Sequence, residues 1–320
     1  MKKGALVISL DFELVWGIFD HIQINDKVAY FDNTLAAIPQ MLALFEKNNI
    51  NVTWATVGML FNENWDEWNA NIPAVIPSYD NQNLNPYNYG LQHQKSGFDR
   101  FFFAPNLIKE INSVKGQEIG THTYSHYYCL EKGQTIEQFD ADLAQAIKMA
   151  KNFSVDLRSL VFPRNQYNSA YLDICSKHQI ETVRTNPDSW YWDTTKSETF
   201  VSKLARTGDA YLPIGKKSYS KDSISNDKVI GQSASRFLRP QHQFEFLNST
   251  RLARIKNEIL HAAKNGEVYH LWWHPHNFGI ATDEAIKTLK AIISVFNQCR
   301  DEYGMESLTM KQLSDARSAI

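Results

Sequence analysis

Short apolar runs alternate with stretches of helical periodicity along most of this chain, and that alternation confines it to a parallel sheet or a β/α barrel. Ala5 to Leu10 is apolar and β-rich and reads as a buried first strand. Leu35, Ile38, Leu42 and Phe45 recur at helical spacing behind the helix-start residues Asp32 and Thr34, and the Asn48-Asn49 pair ends that segment. Asn51 to Val57 predicts a second strand. Further helices are expected over Phe139 to Phe153, Ala170 to His178, Arg251 to Lys264 and Glu284 to Gln298, with strands over Leu157 to Phe162, Glu181 to Arg184 and Glu267 to Trp273. A length of 320 residues suits a single catalytic domain of this kind.

Two stretches break the rhythm and are expected as insertions. Residues 62–103 are rich in Asn, Trp and Tyr and precede a helix containing Leu107 and Ile111. Residues 207–239 are polar, close with SRFLRP, and could form a lid or a solvated excursion. Long loops inside compact domains are usually functional.

Composition narrows the function classes. Lys and Arg number 33 against 35 Asp and Glu, a formal net charge of −2 with no long single-sign run, so nothing favours nucleic acid as a partner. The N-terminus begins like a signal peptide, but Asp11 and Glu13 interrupt the apolar stretch, and no run approaches the roughly 20 apolar residues of a membrane span. Cys129, Cys175 and Cys299 have neither zinc-ribbon nor disulfide-framework spacing, which fits a reducing, cytoplasmic location.

Four clusters could carry chemistry. In Gly120-Thr121-His122-Thr123-Tyr124-Ser125-His126, two imidazoles four residues apart would share one face of a helical turn and could hold one metal; they could equally be ordinary surface histidines. Asp11 and Glu13, two residues apart at a strand end, point to one side. Burying such carboxylates costs several kcal/mol unless a cation or hydrogen bonds compensate, although a strand that simply ends would leave both in solvent. Arg164 follows Val161-Phe162-Pro163 at the end of another strand and would face the same opening as Asp11, fixing its ionisation. Late in the chain, His270-Leu271-Trp272-Trp273-His274-Pro275-His276 joins tryptophans, which pack on sugar rings, to histidines able to protonate a leaving amine. A packed aromatic core with incidental histidines is the plainer reading, above all for His270.

With these motifs in this order, the sequence resembles the polysaccharide deacetylase family, also called carbohydrate esterase family four or the NodB-homology family. Ser9 to Glu13 (SLDFE) resembles its first motif, His122 to His126 (HTYSH) its metal-binding H-[ST]-x-x-H, FPRNQ its arginine motif and WWHPHNF its late histidine motif. SLDFELVWG, HPHNF and SRFLRP together look most like a branch associated with bacterial surface-polysaccharide, notably O-antigen, biosynthesis. The resemblance implies an irregular (β/α)7 barrel that removes acetyl groups from sugars with a divalent ion, zinc first among the candidates. By match of motif it implies His122 and His126 as metal ligands, Asp11 as general base and His274 as general acid; Arg164, at its strand end, would keep Asp11 ionised, and His276, two residues along from His274, is the alternative acid. Trp16, Trp54, Asn165, Trp190 and Trp273 are the candidate sugar contacts. One departure stands out: the family's usual adjacent aspartates are replaced here by Asp11-Phe12-Glu13, so Glu13 must take the ligand position. Two rivals remain. One is a metal-independent glycoside hydrolase pairing Asp11 or Glu13 with Asp188 or Asp193; the other is a glycan-binding relative without activity.

Overall fold

The N-terminal apolar run forms strand β1, Ala5–Phe12, buried throughout. In the computed structural model, which describes residues 2–187, 208–209, 211, 215, 217–224 and 227–318, it is paired on both sides within one sheet. The other strands are β2 (Val52–Thr56), β3 (Gln117–Thr121), β4 (Ser159–Val161), β5 (Thr182–Thr185), β6 (Tyr219–Ser220), β7 (Ile230–Ser233), β8 (Arg236–Phe237), β9 (Glu267–Trp273) and β10 (Glu306–Leu308). The helices are α1 (Val28–Asn48), α2 (Trp65–Ala70), α3 (Pro86–His93), α4 (Pro105–Ser113), α5 (Ile136–Lys151), α6 (Ser169–Lys177), α7 (Glu245–Asn265), α8 (Thr282–Tyr303) and α9 (Met310–Ser318).

Strands β9, β1, β2, β3, β4, β5 and β7 lie side by side, each parallel to the next. The chain leaving β7 then crosses to the far edge, where β8 pairs in parallel with β9. On the way Ala234 N–H donates to Thr185 O (3.0 Å) and Ser235 N–H to His270 O (2.8 Å), so one segment bonds both edges and closes the ring. Seven parallel positions result, as the (β/α)7 expectation requires, with short β6 antiparallel on β9 and β10 extending the edge of β1 beneath β2.

Strand alternation divides the apolar residues into two layers. Leu10, Phe12, Trp54 and Trp273 belong to the large cluster between strands and helices, together with Phe45 of α1 and Leu289 and Phe296 of α8. Val7, Ala55, Val161 and Val268 face inward and meet Met310 and Leu313 of α9, which plug the barrel floor. The opposite end, where parallel strands terminate, is left for polar groups. No helix among the described residues is long and apolar enough to cross a membrane.

The structure corrects the reading of residues 207–239. Their described part is no excursion from the barrel, because β7 and β8 within it are the closing position. Their polar composition concealed this: Gln232 is fully buried and donates to Thr182 Oγ1 (2.8 Å) and Met310 O (2.6 Å). Residues 62–103 fold back as α2 and α3, packing Trp65 and Trp68 against Trp16 and Phe102.

Candidate metal centre and active site

Asp11 and Glu13 come off the end of β1 on its inward side, each only 2% exposed. Phe12, between them, points outward and meets Trp54 edge-on with ring centres 6.1 Å apart. The acid-x-acid spacing therefore turns both carboxylates into the barrel, where adjacent acids on a regular strand would diverge. Gly17 makes room for Glu13, since a β-carbon on it would lie 1.9 Å from the Glu13 carboxyl carbon.

His122 directly follows β3, and its N–H donates to Thr56 O (2.9 Å). The two histidines do not share a helical turn as expected. Thr123 and His126 adopt left-handed backbone angles (φ 64° and 57°), and this loop brings both rings to one point, with centres 4.9 Å apart. A residue that sequence reasoning passed over holds the loop: Asp142 of α5, 1% exposed, accepts from Tyr124 N–H (2.7 Å), Ser125 N–H (3.1 Å) and the Ser125 hydroxyl. Burial pushes its carboxyl up to about 6, against the pull of those donors. An aspartate at a core-facing position of an amphipathic helix was the available signal.

The His122 and His126 Nε2 atoms stand 3.3 and 3.1 Å from Glu13 Oε2. His122 Nδ1 donates to Val161 O (2.7 Å), which fixes the ring with its Nε2 turned towards Glu13. Burial lowers the His126 pKa, against the pull of Glu13. Two imidazole nitrogens converging on a buried carboxylate suit a divalent cation, and the three ligand atoms lie within 4.8 Å of one another. Burial would raise the Glu13 pKa, but His274 and the close His122 and His126 rings carry it well below the usual carboxylate range.

Asp11 is gripped by Arg184, not by Arg164 as expected. Arg184 of β5, 1% exposed, donates from both terminal nitrogens to the two Asp11 oxygens at 2.7 Å and also reaches Ser9 Oγ (3.1 Å). Its guanidinium lies 4.1 Å from the Trp272 ring centre. Burial opposes ionisation of Asp11, yet Arg184, with His122 and His274, pulls its pKa below the ordinary value. Arg164 stands beyond the strand, in a turn where it and Asn165 are left-handed (φ 54° and 52°). Its side chain runs outward to Asp20 and Glu131 (3.4 Å) and over Tyr128 at 4.1 Å. Tyr128 Oη in turn lies 3.2 Å from His126 Nδ1, so Arg164 borders the histidine loop rather than the base.

His274 enters from the end of β9, its Nε2 3.7 Å from both Asp11 Oδ2 and Glu13 Oε1, with its side chain 24% exposed at the mouth. His276 is more deeply set, at 5% exposed, and its Nδ1 lies 3.7 Å from Glu13 Oε1. The two rings stack with centres 4.8 Å apart. His270 is fully buried, its pKa driven down to about 3 by burial and Arg184, and its Nε2 lies 2.9 Å from Ser9 Oγ.

The tryptophan expectations need correction. Trp16, Trp54 and Trp273 are sealed in the core at 0% exposed, which leaves no ring face for a sugar. Trp16 Nε1 donates to Phe102 O (2.8 Å) and Trp54 Nε1 to Gln117 Oε1 (3.0 Å), while Trp273 stacks on Phe278. Trp272 has the inward parity of His274, whose ring it meets edge-on at 5.7 Å. Asn165 is half-buried beside the mouth, and its Oδ1 has no hydrogen-bond partner. Trp190, Asp188 and Asp193 lie outside the described residues.

Solved structures of similar shape agree with this architecture. A polysaccharide-deacetylase-type protein of Mycobacterium smegmatis superposes with a TM-score of 0.63 at 13% identity, covering 100% of this chain and 92% of its own. Puue allantoinase gives 0.58 at 9% identity, covering 98% and 90%, and a second deacetylase-type protein, from Pseudomonas aeruginosa PAO1, gives 0.54 at 10%, covering 97% and 89%. At such identities the likeness speaks to the fold alone. No curated protein matches the chain in sequence. The polysaccharide deacetylase family model matches residues 24–183, half of the chain, taking in His122 and His126 but beginning after Asp11 and Glu13. The chain therefore belongs to the polysaccharide deacetylase family.

Proposed function

We propose that this protein is a divalent-metal-dependent deacetylase that hydrolyses an N-acyl group, in the first instance acetyl, on a sugar of a surface-polysaccharide precursor such as that of O-antigen. The observation that carries this reading is the position of Glu13, within 3.3 Å of two imidazoles and beside an aspartate held ionised by arginine.

Glu13, His122 and His126 would hold the ion, zinc being the first candidate for an imidazole and carboxylate donor set. Bound there, a divalent ion acidifies water towards a pKa of about 7 and polarises an acyl carbonyl. Asp11 then takes the proton of the attacking water, and Arg184 sets the direction of its two oxygens. A carbon–oxygen bond forms and the carbon–nitrogen bond breaks. His274, exposed at the mouth and close to Asp11, gives its proton to the departing sugar nitrogen. Trp272 beside His274 is the aromatic group best placed to border the sugar.

The glycoside hydrolase alternative needs a carboxyl that stays protonated near neutral pH. Asp11 and Glu13 are both held below the ordinary range, which disfavours either as that acid. The test is hydrolysis of N-acetylated sugars by protein stripped with a chelator: activity should vanish and return with zinc or cobalt, and H122A should bind no ion at this site. Undiminished hydrolysis after stripping would refute the reading.

A further inference from the structure

One carboxylate stands between two pairs of histidines. Glu13 Oε2 faces Nε2 of His122 and His126, while Glu13 Oε1 faces His274 Nε2 and His276 Nδ1, each at 3.7 Å. Each oxygen thus belongs to a separate set of three donor atoms lying within 4.8 Å of one another. A separation of 3.7 Å is too long for a hydrogen bond. It is close to the spacing of about 3.4 Å expected for two ligands that share one tetrahedral ion at about 2.1 Å each.

A second observation points the same way. His276 is 5% exposed, and its Nδ1, the atom turned towards Glu13, has no hydrogen-bond partner. The His274 and His276 rings lie 4.8 Å apart between centres, and their ligand atoms and that of Glu13 are within 4.8 Å of one another. Asp11 Oδ2, 3.7 Å from His274 Nε2, adds negative charge next to that position.

We infer that Glu13 is a bridging ligand and that a second divalent cation binds between Glu13 Oε1, His274 Nε2 and His276 Nδ1. Its effect is inhibition: an ion on His274 Nε2 occupies the lone pair on which that ring must carry its proton, so the leaving nitrogen receives none. The inhibitory consequence rests on the role of His274 in the proposed deacetylation, whereas the binding does not. Activity should rise with the first equivalent of cation and fall with the second.

The experiment titrates chelator-stripped protein with Zn2+ by calorimetry and elemental analysis. Wild type should take up two equivalents, the second more weakly, and H276Q should take up one. Loading with Mn2+ gives a readout that needs no variant, because ions bridged by one carboxylate lie about 3.5–4 Å apart and couple magnetically, so the second equivalent should broaden the resonance of the first. Hydrolysis of an N-acetyl sugar should fall at least tenfold between one and two equivalents. A single equivalent in wild type, lost in H122A, would overturn the second site and leave the deacetylase reading standing. Two equivalents retained in H276Q would likewise overturn it, and failure of wild type to bind any ion would overturn both.

Discussion

Replacing Arg184 with methionine should cost the protein several kcal/mol of stability at neutral pH and much less in acid. The substitution removes the partner of a carboxylate that is 2% exposed and receives two hydrogen bonds of 2.7 Å from that guanidinium. Breaking a buried ion pair from one side costs about 3–5 kcal/mol. Protonation sets a ceiling: an aspartic acid ionised in the unfolded chain with a pKa of about 3.9 costs about 4 kcal/mol to protonate at about pH 7. At about pH 5 the same step costs only about 1.5 kcal/mol. In wild type the Asp11 pKa is depressed, so its contribution persists as pH falls and is lost only below the ordinary carboxylate range. In R184M the pKa is raised, and stability declines as pH climbs above about 4. Urea unfolding of chelator-treated protein at both pH values measures the deficit, which D11N in the same background should relieve. A deficit below about 1 kcal/mol at neutral pH, or one independent of pH, would refute the reasoning.

Three further outcomes are expected. Gly17→Ala should push the Glu13 carboxylate out of place and weaken cation binding at least tenfold by calorimetry, since a β-carbon there has no room; unchanged affinity would show that Glu13 is not a ligand. Asp142, with its carboxyl pushed up to about 6, holds a proton in the folded state between about pH 4 and that value, so its contribution to stability falls by about 3 kcal/mol as pH rises through this window. The stability gap between wild type and D142A should narrow by that amount, and a flat gap would contradict the burial argument. A divalent ion at one hundred times its dissociation constant should stabilise the fold by about 2.7 kcal/mol, seen as a raised Tm that chelator reverses; an unmoved Tm would count against a structured site.

The barrel was legible because its strands alternate with long helices whose apolar spacing is unambiguous, as in α1 and α8. Its closure was not, because β7 and β8 carry buried glutamine and arginine where apolar residues would have signalled a strand. Arg236 balances its burial by pairing with Glu258 (2.7 Å), a partner distant in sequence. The acid pair and the two histidines stood out by their spacing and were tied together by the family's motifs, but their loop was not legible: a four-residue interval suits a helical turn, and here two left-handed residues produce the convergence instead.

Arginine was the misleading case. Arg164 follows a proline at a strand end and looked placed for Asp11, yet its left-handed turn throws it outward. Arg184 lies inside a strand between Val183 and Thr185, and a cation at an inward position needs a buried anion. That requirement was visible in the sequence. Strand parity distinguishes the two tryptophans: Trp272, two residues before His274, faces inward and meets Arg184 and His274, while Trp273 faces the core.

If Glu13, His122 and His126 share one cation, anomalous diffraction from a crystal loaded with one equivalent of zinc or cobalt will show a peak about 2.0–2.2 Å from Glu13 Oε2 and from Nε2 of both His122 and His126. A featureless map among those three atoms, with the metal elsewhere on the protein, would contradict it.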